Sequence, residues 1–200
     1  QLDKNIKQIV SNNSESEKLD NIKLMLSRGK SPKYGTSNIQ IIKSGQARGY
    51  KEFNFAEKYY VDENFILDER KLEKGDILIN SSGVGTAGRV TLFNLDGEFV
   101  VDSHISILRI DKNKANPDYI LYSLANIGFK TIEAMAMGQS GQIELSQTTI
   151  KNIKIPLPSI SEQNKIVKEI EKIESEISKL KKEINEVPKL KENILNKYLR

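Results

Sequence analysis

Apolar residues fall in two rhythms along this chain, and each predicts its own kind of element. In the middle, "NIQIIKSG", "GDILIN", "RVTLF" and "FVVDSHISILRI" are short runs, alternating or almost wholly apolar, rich in Ile and Val and bounded by Gly, Asn and Asp. That is the pattern of β-strands. Between Val90 and Phe93, for instance, Val90 and Leu92 fall on one side and Thr91 and Phe93 on the other. "LDNIKLMLSRG" before them reads as a short helix running into a loop over residues 29–35. After the strands the rhythm changes. Ile120, Leu121, Leu124, Ala125 and Ile127 recur at helical spacing behind Asn116, a cap residue, and Pro117, which suits a first helical turn. Gly128 and Gly138 punctuate the segment after that helix, a second short helix is expected from Ser146, and Pro156 and Pro158 keep "IKIPLPSI" extended.

The end of the chain has a stricter repeat. Ser159 and Glu162 make a capping box. Beyond it Ile166, Ile170, Ile173, Ile177, Leu180, Ile184 and Val187 alternate steps of four and three, with Lys and Glu in most of the remaining positions. A repeat of 3.5 residues is the seam of a coiled coil, here roughly 35 to 40 Å long at about 1.5 Å per residue. No second helix of equal length is legible, so the seam calls for a partner helix. Pro188 is expected to break the repeat, and "LKENILNKYL" to restart it with Leu190, Ile194, Leu195 and Tyr198. The fold class is therefore α+β: a linker or frayed tail over 1–18, a β-rich domain with short helices over 19–158, and a long coiled-coil helix over 159–200.

Composition narrows the chemistry. Charged residues are 29% and hydrophobic ones 38%, with no apolar run of the roughly 18 residues a membrane span needs. Cysteine is absent, which removes disulfides, thiolate zinc sites and cysteine nucleophiles and fits a reducing cytoplasm. Gln1 at the start is expected of a part excised from something longer. A net charge of +4 is mild, but its placement is not. Residues 23–58 hold eight Lys or Arg against two Glu, whereas 59–111 hold five basic and ten acidic residues, so the basicity is local. Arg28, Lys30, Lys33, Lys43, Arg48 and Lys51 sit there among Ser, Gly, Gln and Tyr, as in loops that contact phosphates; a solvated lysine-rich surface reads the same way.

Catalytic constellations are sparse. Gly83, Gly85 and Gly88 complete G-x-G-x-x-G after a strand, but a strand comes next rather than the helix whose positive end would hold a pyrophosphate. Arg89 stands where a P-loop needs Lys and a hydroxyl. His104, the only histidine, is expected on the face of Asp102 and Ser106 as a structural residue; Asp102, Ser103 and His104 as strand neighbours cannot form a catalytic relay. No metal ligand set and no methyltransferase or nuclease signature is present, so a non-catalytic chain is expected.

The succession "GDILINSSGVGTAGRVTLF", "SHISILRI", "PDYILYSL", "GQSGQIELSQTTIKNIKIPLP" and "SISEQNKIVKEIEKIE" resembles the target recognition domain and adjoining conserved helix of type I restriction-modification DNA specificity subunits. The likeness runs from about Leu19 onward, and "IPLPSISEQNKIV" is its most specific phrase. It implies a prokaryotic cytoplasmic protein in which a β-rich domain reads part of a split duplex DNA sequence. The long helix would pack antiparallel against a second, an adenine methyltransferase subunit would dock, and a restriction subunit could join. S-adenosylmethionine would bind the methyltransferase, not this chain, which needs no cofactor. One recognition domain and one long helix leave three forms open: half of a longer specificity chain, a half-subunit that dimerises, or the recognition part of a fused restriction-methylation enzyme. A protein-interaction adaptor is the competing class.

On this reading Ser81, Ser82, Thr86 and the three glycines make a tight inter-strand loop that comes close to DNA, with Arg89 available for a phosphate. Arg28, Lys30, Lys33 and Tyr34 suit backbone contacts. The loop residues with the donors and acceptors for base edges are Lys43, Ser44, Gln46, Arg48, Gln139, Ser140 and Gln142.

Overall fold

A computed structural model describes residues 15–139 and 142–198. In chain order the elements are β1 (Ser16–Lys18), α1 (Leu19–Ile22), β2 (Lys23–Arg28), β3 (Gln40–Ile42), β4 (Ala47–Gly49), β5 (Glu52–Phe53), β6 (Tyr59–Tyr60), β7 (Ile77–Asn80), β8 (Val90–Leu92), β9 (Phe99–Val101), β10 (Ile105–Ile110), α2 (Pro117–Ile127), α3 (Phe129–Glu133), β11 (Met137–Gln139), β12 (Gln142–Glu144), α4 (Gln147–Asn152), β13 (Lys154–Pro156) and α5 (Ile160–Tyr198). The fold is α+β, a sheet-rich head carrying one long helix.

The head is built on an antiparallel sheet in the order β2-β10-β7-β8. Alternation along its inner strands sends side chains into two separate cores. Ile77, Ile79, Leu108 and Ile110 join Tyr119, Ile120, Leu124 and the helices on one face. Leu78, Ile105 and Ile107 join Ile42, Phe93 and Phe99 on the other. That is why β7 is buried at every position and reads as a continuous apolar run up to its last residue, the buried Asn80. A second sheet, β6-β3-β9, lies beyond the aromatic core, its β3–β9 pair parallel. In the head's interior Arg109 holds the buried Asp76 carboxylate in a fork, Nε and Nη2 at 2.8 and 2.9 Å.

Several sequence expectations are realised atom by atom. The Asn116 side chain accepts from the N–H groups of Asp118 and Tyr119 and opens α2; Ser146 caps α4 through the Thr149 N–H. Of the expected capping box one half is formed, the Ser159 hydroxyl accepting from the Glu162 N–H at 3.3 Å; the Glu162 carboxylate accepts from Lys165 instead.

Four expectations change. The helix expected over 19–28 is one turn, because Lys23–Arg28 pairs with β10 as a sheet edge. Residues 16–18, expected in a linker, pair with β13, Ser16 opposite Pro156; the remainder of the expected tail lies outside the described residues. The run "FVVDSHISILRI" is two strands in two sheets, since the chain turns at residues 102–104 and crosses from β9 to β10. Pro188 does not interrupt α5, which continues to Tyr198.

The helix α5 has 39 residues, about 58 Å at about 1.5 Å per residue. Its first turns belong to the head: Gln163, Ile166, Val167 and Ile170 are buried, the three apolar ones in the same core as α2. The Gln163 carboxamide is held at both ends, Oε1 accepting from Asn116 N–H at 2.9 Å and Nε2 donating to Pro158 O at 2.8 Å. Tyr122 donates its hydroxyl to Glu174 at 2.9 Å, and Lys51 bridges Asp118 and Glu171 at 2.8 and 3.8 Å. Ile166 and Ile170 are thus covered by the chain's own head, contrary to the expectation that the whole seam awaits a partner. Further on, Ile173 and Ile177 are half-buried, and Leu180, Ile184 and Val187 are exposed at 56%, 67% and 54%.

Candidate nucleic-acid interface

The loops at one end of the two sheets enclose a groove of ≈ 580 Å³. After β3 the chain turns tightly, with the Gln46 N–H bonded to Lys43 O at 2.8 Å. The turn is tied to residues 102–104: Asp102 N–H donates to Ile42 O, and Ser44 N–H donates to the Asp102 carboxylate. Burial pushes that carboxyl above its ordinary value, against hydrogen bonds from the His104 and Ser44 amides. Over the turn the Lys43 ammonium lies 3.7 Å from the Tyr59 ring centroid and 5.0 Å from that of Tyr34, and the two rings are 5.8 Å apart. Hydrogen bonding to the Tyr34 hydroxyl raises the Lys43 pKa. The result is a cation held between two aromatic faces at the mouth of a polar groove.

His104 is exposed in the turn, not on a strand, and its Nδ1 is 2.6 Å from the Ser82 hydroxyl. Ser31 and Ser103 share a hydrogen bond at 2.8 Å on the same rim. Sequence alone does not single out Tyr59, Ser31, Ser103 or His104 as contact residues; their only signal is an aromatic pair in "KYY" and a Ser-rich turn.

The sequence-predicted residues divide by what the fold has done with them. Lys43, Ser44 and Tyr34 line the groove. Gln46 lines it too but is buried: its Oε1 accepts from Lys43 N–H at 2.9 Å and its Nε2 donates to Glu57 O at 2.6 Å. It shapes the turn, with its amide group engaged inside the fold rather than offered to a base edge. Ser81 is fully buried, its hydroxyl shared between Ile79 O and Ser106. Arg28 donates to Ser103 O at 2.6 Å and pairs with Glu144, and Lys30 pairs with Asp68 at 3.0 Å. Lys33 is exposed. Gln139 and Gln142 are opposite each other at the turn end of the β11–β12 hairpin, and Ser140 lies outside the described residues. Arg48 and Arg89 line a second pocket, ≈ 510 Å³, on the far side of the 43–48 turn.

The glycine loop joins β7 to β8 and points inward. Gly83, Gly85 and Gly88 all have positive φ, and a Cβ on Gly88 would stand 2.7 Å from the Glu133 nitrogen. The loop therefore packs on α3. Its free amide does hold an anion, but one from the same chain: Gly85 N–H donates to the Glu133 carboxylate, whose pKa is lowered by Lys130 first and by that bond second. Thr86 turns its hydroxyl back onto Ser82 O and Gly83 O, both at 3.1 Å.

Residues 27–189 match the model of the type I restriction modification DNA specificity domain. The chain belongs to that family. It is 35% identical over 140 residues to a protein named as the specificity subunit of the type I restriction enzyme MjaX of Methanocaldococcus jannaschii, covering 66% of this chain. Likewise it is 30% identical over 139 residues to one named as the type I restriction enzyme specificity subunit S.HindORF215P of Haemophilus influenzae, again over 66% of this chain. The crystal structure of the HsdS subunit from Thermoanaerobacter tengcongensis superposes over 98% of the chain with a TM-score of 0.70 at 18% identity. This specificity domain spans 29% and 34% of the length of the two sequence relatives and 49% of that structure. Among the described residues, no helix is long and apolar enough to cross a membrane.

Proposed function

We propose that the head reads one half of a split duplex DNA target and that the distal part of α5 pairs with a second such helix to hold two heads at a fixed spacing. The observation that carries this reading is the groove in which Lys43, Tyr34, Ser44 and His104 from loops converge with Tyr59 of β6. Lys43 makes no ion pair among the described residues, so no carboxylate neutralises the charge that the two rings hold at the groove.

Two halves are required by magnitude. One good base contact discriminates by about 1–3 kcal/mol, and the few base pairs one small head spans fall short of singling out a genomic site. Two heads on one spacer multiply the selectivity. The second helix belongs to a second copy or to another segment of a longer chain. Methyl transfer belongs to an adenine methyltransferase subunit that carries S-adenosylmethionine, with a restriction subunit as a further partner. The exposed distal stripe favours one rival, a protein adaptor that pairs helices and ignores DNA.

Binding to random duplex pools, alone and with the methyltransferase subunit, separates the two. The expected result is sequence-selective retention that weakens as salt rises, with Lys43→Ala lowering affinity and preference together. Helix pairing with no duplex retained at low salt would leave the adaptor standing.

A further inference from the structure

The pocket on the far side of the 43–48 turn has a composition that the groove does not explain. It is lined by Arg48, Gly49 and Tyr50, by Gly88, Arg89 and Val90, and by residues 125–131 across the α2–α3 junction. None of these is Asp or Glu, and three of them, Arg48, Arg89 and Lys130, are cations. Lys130 is paired with Glu133 at 2.7 Å. The two arginines reach only carbonyl oxygens, Gly45 O from Arg48 and Ala47 O from Arg89, each at 3.4 Å, and make no ion pair among the described residues.

The backbone is arranged to bring them together. Gly49 N–H donates to the hydroxyl of the buried Thr91 at 2.9 Å, and Leu92 N–H donates to Tyr50 O at 2.6 Å, so β4 lies beside β8 with Arg48 and Arg89 as neighbours. Tyr50 has φ of 50°, the one non-glycine with positive φ among the described residues. Strained backbone of this kind persists where surrounding structure holds it, and it clusters at binding sites. Burial, and after it the Arg48 charge, lowers the Arg89 pKa. Arg48 is exposed and Arg89 part-buried, so the two neighbouring guanidiniums repel without a carboxylate between them, and an anion relieves that repulsion.

We propose that the Arg48–Arg89 pocket is a phosphate-binding site that takes a phosphodiester of the bound duplex. Guanidinium forks suit phosphate oxygens, and a pair of them holds one phosphate from two sides. The inference rests on the DNA reading above and deepens it. The turn that carries Lys43 and Ser44 over the groove also carries Arg48 into this pocket, so one strand can engage both. The phosphate positions the duplex; the groove reads it.

The test uses the whole chain and the duplex it selects, with binding measured by fluorescence anisotropy across a salt series. Arg48→Gln and Arg89→Gln are each expected to weaken binding by about tenfold, to reduce the salt slope by about one, and to leave the sequence preference unchanged. A scan of single neutral methylphosphonate substitutions along the duplex should find one position that weakens wild type but not Arg89→Gln. The scan on wild type stands even if that variant unfolds, with Arg89→Lys then as its partner. Unchanged affinity and slope in both variants, or no coupled position, overturns the pocket while leaving the DNA reading intact. Should wild type retain no duplex at all, the DNA reading fails. Inorganic phosphate titrated by NMR then decides the pocket separately: saturable shifts lost in Arg89→Gln keep a site for free phosphate, and their absence overturns it. A shift with the acetate control equal to that with phosphate would overturn phosphate selectivity in favour of a carboxylate.

Discussion

From Gln163 to Glu174 the long helix is part of the head; from Leu180 to Tyr198 its apolar side chains lie open. Both stretches carry the same steps of four and three, yet they differ in one column of the helical net. In the proximal stretch Gln163, Ile166, Val167 and Ile170 are buried at spacings of three, one and three, a stripe wide enough to lie on a globular core. The Val167 column continues as Glu174, Lys181 and Pro188, so from Leu180 to Val187 the stripe narrows to the seam alone; Leu195 returns an apolar residue to that column near the end of the helix. A narrow seam suits one partner helix, and a wide stripe suits a domain surface. Glu174 marks the change: it sits where an apolar residue would extend the wide stripe and instead accepts the Tyr122 hydroxyl.

The contrast can be broken most sharply in the proximal stretch. Ile170→Ala empties a fully buried position and is expected to lower the unfolding free energy by about 2–5 kcal/mol in urea titrations. A loss below about 1 kcal/mol would mean that this turn is not part of the core. Next in size, Tyr122→Phe removes the hydrogen bond at the boundary and is expected to cost about 1 kcal/mol. Its pH dependence has a definite sign. Burial first, and the Glu174 carboxylate second, push the Tyr122 pKa above its ordinary value of 10.0. The folded chain keeps a proton that the unfolded chain releases, so this contribution is complete below pH 10 and is lost as pH rises beyond it. Melts of wild type and Tyr122→Phe should therefore differ by a constant amount up to about pH 10 and converge above it. The smallest effect is expected in the distal stretch. For the isolated chain at low concentration, Ile184→Ala should change stability by no more than about 0.5 kcal/mol. A large loss there would show the far stripe already covered by its own chain.

Much of the fold is legible in the sequence because local rules decide it. Asn116 with Pro117 fixes one helix start, Ser146 and Ser159 two more, and the apolar run that opens β7 announces a strand covered on both faces. The elements that escape such a reading need tertiary partners. Lys23–Arg28 has residues compatible with a helix, and only β10 alongside makes it a strand. Nothing in "VVDSHIS" distinguishes one long strand from two, since the turn at 102–104 is set by Asp102 accepting from His104 N–H. Pro188 has the residue type of a helix stop, yet the turns on either side of it carry the helix through. The loop residues show the same division: residue type identifies polar side chains on turns, but not that Ser81 and Gln46 are spent inside the fold. The strand after the glycine loop is enough to argue against a pyrophosphate there, though the group that holds the loop together, the Glu133 carboxylate, comes from 48 positions later in the chain. In the sequence Arg48 and Arg89 are isolated cations; the β4–β8 contact makes them neighbours.

The short pairing of Ser16–Lys18 with Lys154–Pro156 bears on how such a head can be exchanged. It places the strand by which the chain arrives against the strand by which it departs, just before the long helix begins. The head is held to the helix by this clasp and by its contacts with Gln163–Glu174, so a replacement insert that keeps both leaves the flanking path where it was. A new set of loops can then be mounted on an unchanged stalk.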